Sequence, residues 1–245
     1  MNLKELRNIL IVDIETVSAK PDFWELDPRL QDQWARKSEF FKNEDDLSVA
    51  ELFSQRASIY AEFGKIISIG VGVFYRNEEA ELSLRVKAFQ GDDEKQVLND
   101  FKELLETKYD SDHLKLCSHN GKEFDYPYLC RRMLLNGISL PMALNLRDRK
   151  PWEVQHLDTM EMWKFGDRRN YATLELMTAL FGIESSKVED DGTPIDGTQV
   201  NRLYYKEEGL ERIVRYCKQD VVATAQLFLR LNDHEQIEQS NITVL

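Results

Sequence analysis

Three short stretches carry side chains whose types and spacing suit the binding of hard divalent cations. The first is Asp13-Ile14-Glu15. On a strand, residues two apart project to the same side, so both carboxylates leave the end of an otherwise apolar run together. Burying two ionised carboxylates side by side is costly unless a cation compensates them, and Mg²⁺ or Mn²⁺ favour such oxygen donors. A plainer alternative stays open, because Asp92-Asp93-Glu94 has the same spacing in what reads as a solvated helix start. The second stretch, His119-Asn-Gly-Lys-Glu-Phe-Asp125, follows a strand and opens a helix. Asp125 is there either an ordinary N-cap or a carboxylate facing a metal at the sheet edge, and Asn120 beside Gly121 suits a tight turn. In the third, Tyr216-Cys-Lys-Gln-Asp220, the tyrosine and aspartate stand four apart on one helical face. A phenol beside a metal-bound carboxylate can hold an attacking water; the alternative is a solvated Asp next to a half-buried Tyr.

These stretches need a scaffold, and the hydrophobic pattern supplies one. Asn8–Thr16 is a β-branched run suited to a central strand. Residues 20–62 are charged, aromatic and irregular, a helical insertion after that strand. Lys65–Phe74 and Glu81–Phe89 read as a hairpin. Asp93–Glu106 places Val97, Leu98, Phe101, Leu104 and Leu105 on one helical face. His113–Ser118 is a fourth strand, and a helix from Asp125, with Pro127 early, ends at Asn136-Gly137. Val154–Leu157 is a short fifth strand, Thr173–Phe181 a helix stopped by Gly182, and 184–200 a polar loop or flap. The last helix starts near Gly209 and buries Leu210, Val214, Cys217, Val221, Ala225 and Phe228. The expected fold is α/β, a mixed five-stranded sheet flanked by helices, in a single domain over 1–245 with a loosely held tail at 233–245.

Bulk properties bound the function. The 245 residues are 42% hydrophobic and 31% charged, with no apolar run near the ~20 residues of a membrane span. Met1–Lys20 lacks the pattern of a secretory signal, so a cytoplasmic protein is expected. Cys117, Cys130 and Cys217 are too widely spaced for a disulfide framework or zinc site, and the four histidines show no ligand spacing. The net charge of −12 weighs against nucleic acid as a partner. That charge is uneven, however. Asp22–Glu62 holds five Lys/Arg against ten Asp/Glu, whereas Arg147–Asn170 holds six against five.

Taken in order, Asp13-x-Glu15, Asn120-x-x-x-Phe124-Asp125 and Tyr216-x-x-x-Asp220 resemble the three motifs of the DEDD exonuclease superfamily on the RNase H-like fold. The tyrosine spacing is that of the DEDDy branch; the histidine branch would need His where Arg215 stands. Phe124–Arg132 resembles the second exonuclease motif of family-B DNA polymerases. His156–Met160, Thr173-Leu174 and Ala179–Ile183 resemble the inter-motif stretch of their stand-alone relatives. The resemblance covers roughly 8–18 and 65–232. No length remains for polymerase palm, fingers or thumb.

The resemblance implies a 3′–5′ exonuclease that releases 5′-mononucleotides from single-stranded nucleic acid, DNA favoured, with two Mg²⁺ or Mn²⁺ ions. Asp13, Glu15, Asp125 and Asp220 would hold the metals and Tyr216 would orient water. Thr16, Asn120 and Phe124 would touch the terminal nucleotide. Tyr171 and Trp163 are further stacking candidates, and Arg131, Arg132, Arg168, Arg169 and Lys187 candidates for tracking the backbone. Three other readings stay open: a trimmer of RNA or short oligonucleotides, a phosphomonoesterase, and a non-catalytic nucleic-acid-binding protein on a retired nuclease fold.

Overall fold

The computed structural model describes residues 2–167, 169, 171–186, 197 and 199–245. Helix α1 (Leu3–Arg7), closed by an Asn2/Glu5 capping box, leads into strand β1 (Ile9–Ser18). The insertion follows, with α2 (Pro28–Ser38) and α3 (Val49–Arg56). Strands β2 (Gly64–Arg76) and β3 (Leu82–Gln90), helix α4 (Glu94–Lys108), strand β4 (Lys115–Ser118) and helix α5 (Asp125–Leu135) come next. The chain continues through β5 (Leu157–Asp158), α6 (Thr159–Lys164), α7 (Leu174–Phe181), α8 (Val200–Lys206) and the long α9 (Leu210–Leu231), and ends in β6 (Ile242–Val244).

The sheet order is β5-β4-β1-β2-β3-β6. Strand β1 pairs antiparallel with β2 and parallel with β4, and β2 pairs antiparallel with β3 as the expected hairpin. The period-2 rule then sorts β1. Leu10, Val12 and Ile14 face a core shared with α4 and α5, while Ile9 and Ile11 face Val221, Ala225 and Phe228 of α9. Asp13 and Glu15 continue the face that α9 covers.

Two expectations about the sheet need correction. It has six strands rather than five, because the segment expected to be loose carries Ile237 into the core and adds β6 parallel to β3. Three residues of strand are too short for an alternation signal, and what holds them is an edge of β3 left open by the hairpin. The fifth strand is Leu157–Asp158, later and shorter than Val154–Leu157.

The insertion builds its own small core. Trp34 is fully buried, with the rings of Phe53, Phe63, Phe41 and Tyr60 at 5.4, 5.1, 5.5 and 6.0 Å. One link to the rest of the fold is polar: the Ser58 carbonyl accepts hydrogen bonds from Thr16 Oγ1 of β1 at 2.9 Å and Tyr128 Oη of α5 at 2.8 Å.

One buried ion pair ties the layers together. Arg132 meets Glu94 through Nε–Oε1 at 2.8 Å and Nη2–Oε2 at 2.6 Å. Glu94 also accepts from the Ile66 amide at 2.7 Å and Asn136 at 2.9 Å, while Arg132 donates to the Ala61 carbonyl at 2.8 Å. Arg132 is therefore a structural pin among α4, α5 and β2 rather than a side chain turned to a polyanion. Removing one partner strands the other charge, so Arg132→Ala is expected to lower stability by about 3–5 kcal/mol, read from urea denaturation midpoints.

Candidate active site

The carboxylates gather where β1 runs out from under α9. Each of Asp13, Glu15 and Asp220 places an oxygen within 4.8 Å of the others. Two local features make this possible. A β-bulge falls between Glu15 and Thr16 in the pairing with β2, the kind of irregularity that re-aims side chains beside a site. The β2 residues facing α9 include Gly70 and Gly72. A Cβ on Gly70 would come within 2.8 Å of Val221 Cγ2 and 2.9 Å of Cys217 Sγ, and one on Gly72 within 2.7 Å of Val221 Cγ1. Their missing side chains let α9 lie close enough for Asp220 to reach the acids of β1.

The electrostatics are those of anions held out of water. Burial pushes the Asp13 carboxyl well up, and the charges of Asp220, Glu15 and Asp125 push it further. Glu15 is raised by burial and then by Asp220 and Asp125. Asp13 Oδ2 is buried and accepts no hydrogen bond among the described residues. Three converging carboxylates and an orphaned oxygen fit a divalent cation, which would satisfy both. Tyr216 stands one turn before Asp220 and its hydroxyl is hydrogen-bonded to that side chain. Burial raises its phenol strongly, as do the charges of Asp220, Glu15 and Asp13, so it remains a protonated donor.

Asp125 is the first residue of α5, whose N-cap is Phe124. The expectation that Asp125 is itself the cap is off by one residue. Its carboxylate turns instead to the backbone amide of Ile14, which β4, ending at Ser118, leaves unpaired. Burial raises this carboxyl to about 8, with Asp158 and Asp220 adding to the rise while its own amide and that of Ile14 oppose it. Asp125 is thus within electrostatic reach of the other three acids but outside the triplet of converging oxygens.

The residues expected to touch substrate lie around this cluster. Thr16 sits at the bulge with its hydroxyl donated to Ser58. Asn120 adopts the left-handed conformation (φ 65°), and its Oδ1 is buried with no hydrogen-bond partner among the described residues. Phe124 is half-buried against Tyr128, ring centroids 5.3 Å apart. Trp163 packs with Phe181 at 5.9 Å, whereas Tyr171 is exposed. Arg131 and Arg169 are exposed; Arg168 and Lys187 lie outside the described residues.

Sequence reasoning missed one organising side chain. Asp158, buried at the end of β5, accepts from the amides of Asn120, Lys122 and Met160, each at 3.0 Å, and from that of Glu161 at 3.3 Å. It caps α6 and pins the turn that carries Asn120 and delivers Asp125. An Asp-Thr pair just ahead of a short amphipathic stretch was the available signal.

Comparison with known proteins places this architecture. The structure of the family B DNA polymerase from the hyperthermophilic archaeon Pyrobaculum calidifontis superposes with a TM-score of 0.57 and 15% identity, over 91% of this chain and 24% of that one. The fold is therefore RNase H-like, as in the exonuclease domain of such polymerases. In sequence, the DNA polymerase of Desulfurococcus sp. (strain Tok) is 25% identical over 142 residues, 55% of this chain and 18% of the polymerase. The DNA polymerase of Pyrococcus glycovorans is 25% identical over 134 residues, 51% and 17%. The chain thus matches under a fifth of the length of these relatives. Residues 59–242 match the family described as "Predicted 3'-5' exonuclease related to the exonuclease domain of PolB", and the chain belongs to that family. The match begins after β1, so Asp13 and Glu15 join the site by geometry, not through the family match.

The raised carboxyls link stability to pH. Up to about pH 8 folded Asp125 keeps a proton that the unfolded chain releases near ~3.9. Folding takes up protons across that window, so the metal-free fold weakens as pH rises through it. A chelated sample is expected to lose thermal stability from pH 5 to pH 8, and the stabilisation given by Mn²⁺ to grow over the same range. A Mn²⁺-induced Tm shift that does not vary with pH would contradict this.

Proposed function

We propose that this protein is a metal-dependent 3′–5′ exonuclease that removes 5′-mononucleotides from the 3′ end of single-stranded nucleic acid, DNA favoured. The observation that carries the reading is the convergence of Asp13, Glu15 and Asp220 within 4.8 Å, with the Tyr216 hydroxyl bonded to the third of them. The family match supports the exonuclease class, and relatives that are DNA polymerases favour DNA. Among the described residues no helix is long and apolar enough to cross a membrane.

Asp13, Glu15 and Asp220, with Asp125 beside them, would hold two divalent cations. Such ions, when bound, lower the pKa of a water and stabilise charge on the transferring phosphate and the departing oxygen. Tyr216, kept protonated with its hydroxyl bonded to Asp220, orients the water through its oxygen rather than deprotonating it. Asn120, whose buried Oδ1 has no hydrogen-bond partner among the described residues, can accept a hydrogen bond from the terminal nucleotide, and Phe124 gives its sugar or base an apolar surface. Water adds its oxygen to phosphorus, the bond to O3′ of the preceding residue breaks, and that oxygen takes the proton.

The test uses a 5′-labelled single-stranded oligonucleotide with Mn²⁺, with and without chelator, beside a matched RNA and a 3′-blocked strand. A ladder shrinking from the 3′ end that disappears with chelator is expected; no metal-dependent release would overturn the reading. Asp13→Ala and Asp220→Ala should each abolish hydrolysis while the circular-dichroism spectrum is retained, and full activity in either removes that residue from the site. Tyr216→Phe should slow turnover by about 10²-fold, the scale of a misplaced reactant, with Mn²⁺ affinity unchanged. A wild-type rate would sink the water-positioning role.

A further inference from the structure

On the flank of α5 lies a groove of about 1220 Å³, separate from the carboxylate cluster. Its lining includes Lys122 and Glu123, in the turn that carries Asn120 and leads into Asp125. It continues past Pro127, Cys130 and Leu134 on the outer side of α5, with 146–154 and the end of α6 as the opposite wall. The floor is apolar and the rim is cationic. Lys122, Arg131, Arg147, Arg149 and Lys164 stand around it.

In a chain of net charge −12 this concentration of positive charge is local. Lys122, Arg131, Arg147 and Arg149 form no ion pair among the described residues, and Lys164 pairs with Glu161 at 3.2 Å. Glu123 and Asp167 are the other acids in the lining. Trp152 stands 76% exposed on the wall, with the Lys150 ammonium 5.4 Å from its ring centroid. Unpaired cations beside an exposed aromatic on an apolar floor are what single strands require: phosphates to the rim, bases to the floor and ring.

We propose that this groove binds the single-stranded segment 5′ to the scissile end, so that the strand enters along α5 and its 3′ terminus reaches the acidic cluster past Lys122. This rests on the exonuclease reading and adds the path of the substrate. Helix α5 has 11 residues, about 16 Å at ~1.5 Å per residue, room for about four or five nucleotides at a stacked rise of ~3.4 Å. The groove therefore grips strands longer than a trinucleotide. It also answers the objection raised by the overall charge, since the chain needs a basic surface only where the strand lies.

The experiment compares wild type with R147E/R149E, and with Trp152→Ala as a milder variant. Binding of a fluorescent 12-mer with phosphorothioate 3′ linkages is read by anisotropy, and turnover by kcat/KM on a trinucleotide. The double variant should bind the 12-mer at least tenfold more weakly, with the slope of log K against log[salt] reduced by about 1.4. Trinucleotide turnover should be unchanged, and Trp152→Ala should weaken the 12-mer several-fold. Equal 12-mer affinity in all three proteins would overturn the groove while leaving the exonuclease reading intact. Parallel loss of trinucleotide turnover would overturn it as well, by showing a disturbed active site. If wild type binds a poly-glutamate peptide and not the 12-mer, the occupant is an acidic protein and the proposal fails. Binding of the 12-mer without turnover of the trinucleotide or of an unmodified 12-mer would instead sink the exonuclease reading.

Discussion

Carboxylates drawn out of water at one place repel each other, and the end of β1 is organised around that repulsion. At an effective dielectric of ~20, unit charges no more than 4.8 Å apart repel by about 3.5 kcal/mol or more. Three such pairs rival the ~5–15 kcal/mol that holds a typical domain folded. The cluster can therefore persist only protonated or neutralised by cations, and only on a scaffold rigid enough to keep its members from drifting apart. The apolar contacts of Ile9 and Ile11 with Val221, Ala225 and Phe228 supply that rigidity directly beneath the acids. The site and the core share one face of β1, apolar at Ile9 and Ile11 and anionic at Asp13 and Glu15.

Around this cluster, position is set by backbone amides more than by side-chain contacts. Asp158 gathers four of them and fixes the turn before α5. Asp125 takes the Ile14 amide that β4 leaves behind. These two carboxylates fill gaps left where β5 and β4 end. The insertion meets this edge through Ser58, so residues distant along the chain hold Thr16 beside the bulge.

What was legible from residues alone was whatever repeats with the period of an element. The alternation in β1 put Asp13 and Glu15 on one side, and the four-residue spacing put Tyr216 over Asp220; both arrangements are found in the fold. The stops at Gly182 and Asn136-Gly137 were equally readable, because left-handed backbone selects glycine. Features created by tertiary contact were not. Asp158 sits on a two-residue strand with no pattern of its own, and β6 exists because β3 offers an edge. Arg132 looked like a surface cation until Glu94, 38 residues away, met it in the interior. The sequence leaves Asp125 open between a cap and a metal-facing carboxylate because local rules count only neighbours along the chain, whereas its partner is an amide on β1.

Gly70 and Gly72 run against the grain of the strand that contains them, since glycine contributes nothing to cross-strand packing and loosens the unfolded chain. Sheet stability is forgone there so that a helix can settle a few tenths of a nanometre nearer. Efforts to toughen this protein by raising β-propensity would turn first to those two positions, and would lift α9 away from β1 in the process. Thermal robustness and chemical competence are thus set in opposition at two missing methyl groups.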